Sequence, residues 1–175
     1  MKTLINTLLA IVVFFTLTAM SCSKKNYLST KDLDATMVES PQTQADIDRN
    51  KIIKYVKSKK LQGSFTSSGI FYVIDEPGNG VERPTSDSKV TAHYTGTLLN
   101  GKKFDSSHDR DEPLSFKPSE VIKGWQEAVT MLGKGGKGKF IIPSGLCYRD
   151  RVIGEIIPGN ACLVFDMEVL DFKTE

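Results

Sequence analysis

VTAHYTGTLLNGKKFDSS, residues Val90 to Ser107, decides how the rest of the chain is read. Val90, Ala92 and Tyr94 alternate with polar positions, the period-two pattern of a half-buried strand. Asn100-Gly101 follows a short apolar run and precedes Lys102-Lys103-Phe104. Asn-Gly tolerates positive φ at both central turn positions, so the pair predicts a hairpin turn. The returning strand brings Phe104 and Asp105 toward the face that carries Tyr94. An aromatic hydroxyl, an aromatic ring and a carboxylate then share one hollow.

Outward from the hairpin, the chain reads as further short strands around one helix. Gly69 to Ile74 is rich in β-branched and aromatic residues and predicts a strand, broken by Pro77-Gly78-Asn79-Gly80. Asp109 to Glu112 reads as an exposed charged loop, and Leu114 and Phe116 as another short strand stopped near Pro118. Ser119 is placed as the N-cap of a short helix whose apolar face is Val121, Ile122, Trp125, Val129 and Leu132. Gly133 to Gly138 lacks the order of a phosphate loop and the following helix, and reads as a turn. Lys139 to Pro143 is a strand, Ser144 to Asn160 a long loop carrying Tyr148 and Ile156-Ile157, and Ala161 to Phe172 a last strand. Leu163, Phe165, Met167 and Val169 share one face of that strand. The class is α+β, an antiparallel sheet wrapped on a single short helix.

The N-terminus carries an address. Met1-Lys2 is a short basic start, Leu4 to Ala19 is almost wholly apolar, and Ala19 and Ser21 precede Cys22. This is a secretory signal, residues 1–21, too short and wrongly flanked for a membrane span. A cysteine at that place resembles a bacterial lipobox, with Ala19 where the pattern prefers Leu, and makes Cys22 the lipidated first residue. Plain secretion and an uncleaved anchor are the alternatives. Lys24-Lys25 supply no acidic surface-export cue, which favours a lipid-anchored protein of the cell envelope facing the periplasm. Residues 22–39 are polar, without a period, and read as a tether. Residues 40–63 form an N-terminal helical extension, with Ser40-Pro41 as its start and Gly63 as its end. Its apolar stripe Ile52, Ile53, Val56 and Leu61 packs on its own domain or on a second copy, and the lysines opposite form a solvated face. Residues 64–175 are the folded domain.

Composition and elimination then narrow the chemistry. With 23 basic and 21 acidic residues and a formal charge of +2, the chain has no nucleic-acid footprint. The two histidines, His93 and His108, have no cluster at metal-ligand spacing, so neither metal nor cofactor is expected, and His93 faces away from Tyr94. Neither a Gly-x-Ser-x-Gly elbow nor a Cys–His nucleophile pair is present. Cys147 and Cys162 form an even pair in an exported protein, either a disulfide or two buried thiols. What is left is an aromatic hollow suited to ligand binding.

Four pieces then carry a family resemblance: His93 to Ser107, VIKGW (Val121 to Trp125), IIPGNACLVFDMEVL (Ile156 to Leu170), and Tyr148 in the loop between the last two. In this order and spacing the region Gly69 to Phe172 resembles an FKBP-type peptidyl-prolyl cis-trans isomerase. The resemblance implies an FKBP-like antiparallel half-barrel around one helix, with a substrate proline resting on Trp125. It implies Tyr94, Phe104, Asp105, Trp125, Tyr148 and Phe165 as catalytic residues, and Leu114, Phe116, Val121, Ile122, Ile156 and Ile157 as substrate-binding residues. The Ile122 N–H and the Tyr148 hydroxyl would bind substrate carbonyls. Asp105 would either orient Tyr94 or meet the carbonyl carbon. Partners would be proline-containing exported polypeptides and macrolide-type inhibitors. Leu114 stands where many members have Phe, and Arg149 where Gly is usual. Cys147 and Cys162 replace small non-thiol residues, which favours the bridge. The alternative to an enzyme is a proline-peptide-binding chaperone module of low activity, favoured by Leu114 and Arg149.

Overall fold

The expected alternation is realised in β3, Lys89–Leu98, where Val90, Ala92, Tyr94, Gly96 and Leu98 are buried and Thr91, His93, Thr95 and Thr97 are half-exposed. The chain is described by a computed structural model over residues 27–174. The expected signal peptide 1–21, Cys22 and the first residues of the expected tether lie outside the described residues.

Among the described residues seven strands form one antiparallel sheet. The others are β1 Ser64–Phe65, β2 Phe71–Glu76, β4 Lys103–Ser106, β5 Leu114–Phe116, β6 Lys137–Ile142 and β7 Leu163–Lys173. The order is β1-β2-β6-β7-β3-β4, and β5 pairs the start of β3. Among the described residues three α-helices accompany it: α1 Thr30–Ala35, α2 Gln44–Ser58 and α3 Lys123–Val129. This is the expected α+β architecture.

Register assigns each strand residue to one of two cores. Tyr72, Phe140, Phe165 and Gly96 form one cross-strand row. Their face packs on Trp125, Ala128 and Val129 of α3 and on Leu132. One residue along, Phe71, Ile141 and Val164 form the adjacent row, which points the other way. They meet Ile52, Ile53 and Val56 of α2 and Leu33 of α1 in a second core. Because side chains alternate along a strand, apolar runs such as Phe140-Ile141-Ile142 feed both faces. The stripe of the extension is therefore spent on its own domain. Farther along the back face, Lys137 and Lys139 pair with Glu76, Glu168 and Asp166, leaving that part solvated.

Several boundaries differ from expectation, each for a local reason. Helix α2 starts at Gln44, not at Ser40-Pro41, because Thr43 and Asp46 form a reciprocal capping box. It ends through Lys60, which is left-handed at φ 54°, before Gly63 is reached. Gly63 has another role: a Cβ there would lie 2.1 Å from the Tyr72 carbonyl oxygen. Within the stretch read as a tether, Ser29 and Asp32 form a second capping box, and α1 buries Leu33. Helix α3 begins at Lys123; Ser119 lies instead in a 3-10 turn, Pro118–Glu120. The hairpin has positive φ at Gly101 alone. The Gly101 N–H donates to the Leu98 carbonyl and the Leu98 N–H to Lys102, a three-residue loop closed by its glycine. The turn expected over Gly133 to Gly138 spans Gly133 to Gly136 only, since Lys137 and Gly138 already pair in β6.

The disulfide expected between Cys147 and Cys162 is not formed; both are buried free thiols. They belong to different cores, Cys147 to the α3 side and Cys162 to the α2 side. Cys147 donates to the Ile142 carbonyl at 3.9 Å and Cys162 to the Asp48 carbonyl at 4.0 Å. Burial pushes both thiols up, Cys162 to about 12, so neither is a ready nucleophile.

Candidate active site

Tyr94 and Asp105 meet because β3 and β4 are paired with Gly96 opposite Asp105. The register slips between Gly96 and Thr97, whose partner is Lys103, so Phe104 is the extra residue of a bulge. The bulge lets two consecutive residues, Phe104 and Asp105, both line one hollow, which an unbroken strand would forbid. Gly96 makes room beneath: a Cβ there would fall 2.5 Å from the Phe104 ring and 3.1 Å from Phe165.

The hollow is a cavity of about 350 Å³ lined by Tyr94, Phe104, Asp105, Leu114, Glu120, Val121, Ile122, Trp125, Tyr148 and Phe165. Trp125, on α3, is only 4% exposed. Its ring meets Tyr94 at 4.8 Å, Phe165 at 5.2 Å and Phe116 at 5.3 Å, all edge to face. Phe104 meets Phe165 the same way at 5.6 Å. Such pairs contribute about 0.5–1.5 kcal/mol each beyond their burial, which fixes the ring planes. Phe116 thus lies behind Trp125, outside the lining. Ile157 is buried in the same core and Ile156 is half-exposed on the loop; neither lines the cavity.

Polar groups sit at the rim. Tyr94 donates its hydroxyl hydrogen to Asp105 Oδ2, and Arg110 donates from Nη1 to Asp105 Oδ1 and from Nη2 to the Tyr94 oxygen at 3.0 Å. Burial raises the Asp105 pKa, but the bonds from Tyr94 and Arg110 outweigh it and hold the carboxyl below its ordinary value. Burial, followed by the bond to Asp105, raises Tyr94. Asp105 is thus an ionised, fully engaged carboxylate that fixes Tyr94. Two donors stay unused: the Ile122 N–H, ahead of the first turn of α3, and the Tyr148 hydroxyl have no protein acceptor among the described residues. Burial raises the Tyr148 pKa, so it remains a hydroxyl donor at neutral pH.

His93 lies on the opposite face, its Nδ1 2.9 Å from Ser107 Oγ and its ring stacked on His108 at 4.4 Å. Sequence reasoning missed Arg110, read within an exposed loop, and Glu120. Nothing in the local sequence marks Arg110, whose role depends on a turn, His108–Arg110, that folds it back over the hairpin.

With this geometry in place, a model of the FKBP-type peptidyl-prolyl cis-trans isomerase family matches residues 80–170, more than half of the chain. The chain belongs to that family. Among curated FKBP-type relatives, FkpA of Buchnera aphidicola subsp. Schizaphis graminum is 47% identical over 118 residues, covering 67% of this chain and 46% of that protein. FkpA of Escherichia coli (strain K12) is 44% identical over 120 residues, covering 69% of this chain and 43% of its own length. The chain thus spans about half the length of the curated relatives it matches. The crystal structure of FkpA from Escherichia coli superposes with a TM-score of 0.66 at 41% identity, over 75% of this chain and 61% of that one. The crystal structure of AtFKBP13 gives 0.59 at 34% identity, over 65% of this chain and 100% of that one. The cavity residues all fall within the FKBP-type match.

Proposed function

We propose that this chain catalyses cis-trans isomerisation of X–Pro bonds in exported polypeptides. The observation that carries the reading is an aromatic cavity with two donors that have no partner among the described residues: Trp125 lies below, Tyr94, Phe104, Leu114 and Phe165 around it, and the donors are the Ile122 N–H and the Tyr148 hydroxyl. A proline ring lies on Trp125, and the two donors take carbonyls of the bound peptide, so the chain is held while one bond turns. Rotation must give up amide resonance against a barrier of about 18–20 kcal/mol. Resonance places negative charge on the carbonyl oxygen, so water stabilises the planar amide more than the twisted one. A dry cavity removes that bias and favours the twisted state. Asp105, engaged by Tyr94 and Arg110, keeps the rim in shape and transfers no proton. Macrolide-type inhibitors of isomerases would compete for the same cavity.

The test is a protease-coupled assay on a proline tetrapeptide. The protein is expected to shorten the slow phase, which takes tens of seconds uncatalysed. If the slow phase is as long with the protein as without it, the enzyme reading fails and a binding module is left. We further propose that the chain is held in the envelope, facing the periplasm, by lipid on Cys22, as the small residues before that cysteine suggest. Radiolabelled palmitate should enter the full chain expressed in a Gram-negative host and be absent from Cys22→Ala. Equal labelling of both would discard the anchor.

A further inference from the structure

We infer that helix α2 positions the loop of the active site, with Asp48 as a positioning residue that acts on Tyr148 through Ser144. The inference rests on the reading of Tyr148 as a substrate-binding hydroxyl. Helix α2 lies wholly outside residues 80–170, the segment matched by the family model.

Asp48 is 1% exposed, an unusual place for a carboxylate on a helix otherwise rich in exposed lysines. Oδ2 accepts the Ser144 N–H at 2.8 Å and the Ser144 hydroxyl at 2.5 Å. Oδ1 accepts from Gln44 Nε2 at 2.7 Å, with Lys51 Nζ 3.8 Å away. Ser144, itself buried, opens the segment that leads to Tyr148. Its carbonyl accepts N–H bonds from Cys147 at 3.0 Å and Arg149 at 2.9 Å, the two neighbours of Tyr148. The far end of the loop is held too: the Arg149 carbonyl accepts from Asn160 N–H at 2.7 Å, and the Asn160 carbonyl accepts from Lys51 Nζ at 3.4 Å. Asp48 and Lys51, three residues apart on one helix, therefore fasten both ends of the loop to α2.

Among the described residues the Tyr148 hydroxyl makes no hydrogen bond that would hold it. The Tyr148 ring packs against the core, and the backbone on either side of it hangs from Ser144. An apolar residue at position 48 could fill the same volume without the desolvation a buried carboxylate suffers. What it could not do is hold both donors of Ser144 in one place.

The experiment measures kcat/KM for the full chain, Asp48→Asn, Ser144→Ala, Tyr148→Phe and each of the first two combined with Tyr148→Phe. Amide hydrogen exchange of residues 146–151 is followed in parallel. Asp48→Asn should lower kcat/KM about tenfold, short of the roughly hundredfold that a misplacement of about 1 Å can cost. Ser144→Ala should lose less, in the same direction. In the Tyr148→Phe background both losses should shrink to within about twofold, because effects that pass through one group are not additive. The amides of Cys147 and Arg149 should exchange faster while those of α3 do not. Equal losses in both backgrounds, or no loss in either, would overturn the inference. Should Asp48→Asn fail to fold, Ser144→Ala makes the same comparison. If the unsubstituted protein proves inactive, the isomerase reading fails by itself, and unchanged exchange at residues 146–151 would then sink the positioning role separately.

Discussion

Trp125→Ala is expected to lower kcat/KM by roughly fiftyfold to a hundredfold while leaving a folded protein. The ring of a bound proline carries three methylenes, and burying each is worth about 0.8 kcal/mol, together near 2.4 kcal/mol. At about 1.4 kcal/mol per decade that alone is close to sixtyfold. Removing the indole also admits water above Tyr94 and Phe165, which restores solvation to the planar amide. The substitution has a folding cost as well. Trp125 is 4% exposed and touches Tyr94, Phe116 and Phe165, and such truncations cost about 3–5 kcal/mol. Against a typical stability of about 5–15 kcal/mol, a native population survives at low temperature. The assay therefore belongs near 10 °C, with circular dichroism confirming the fold. Trp125→Phe, which keeps an aromatic floor, should recover most of the activity. A folded Trp125→Ala protein with unreduced kcat/KM would show that the proline does not rest there.

The stretch that carries the site was the most legible part of the chain, because alternation in Val90, Ala92 and Tyr94 reports a face directly. Period two, however, would have sent Phe104 and Asp105 to opposite faces. Only the bulge between Gly96 and Thr97 brings both to the cavity, and bulges leave no period in a sequence. The hairpin reading put both on the Tyr94 face without that reason. Arg149 is a similar case: it stands where glycine is usual, and the structure gives it φ 59°, the left-handed region that glycine enters without cost. Two short-range signals, Ser29 with Asp32 and Thr43 with Asp46, are capping-box patterns that mark α1 and the start of α2. Asp48 had no such signal. Its partner is 96 residues away, and on its own helix it looks like one more member of a solvated face.

A chain beginning at Ser64 is expected not to yield a stable monomer, although it keeps every residue of the cavity. AtFKBP13, whose whole crystallised chain corresponds to 65% of this one, argues that the fold can stand without an extension. The back of the sheet in the present protein is apolar. Phe71, Ile141 and Val164 form a continuous row there, each no more than 1% exposed, and Leu33, Ile52, Ile53 and Val56 are what cover it. Burying those four side chains contributes about 1.5–3 kcal/mol apiece, or about 6–12 kcal/mol in all. That sum is as large as the whole stability of an ordinary domain. Deletion forfeits it and leaves three large apolar side chains side by side on an open sheet face, a surface that favours association. The truncated chain should therefore elute as oligomers or aggregate, and its urea transition should be broad or lost. The four substitutions Phe71→Thr, Ile141→Thr, Cys162→Ser and Val164→Thr, which suit a solvated strand, should restore solubility to the truncated form but destabilise the full chain. A truncated protein that stays monomeric by light scattering and unfolds within about 1 kcal/mol of the full chain would mean that α2 rests on the sheet without holding it together.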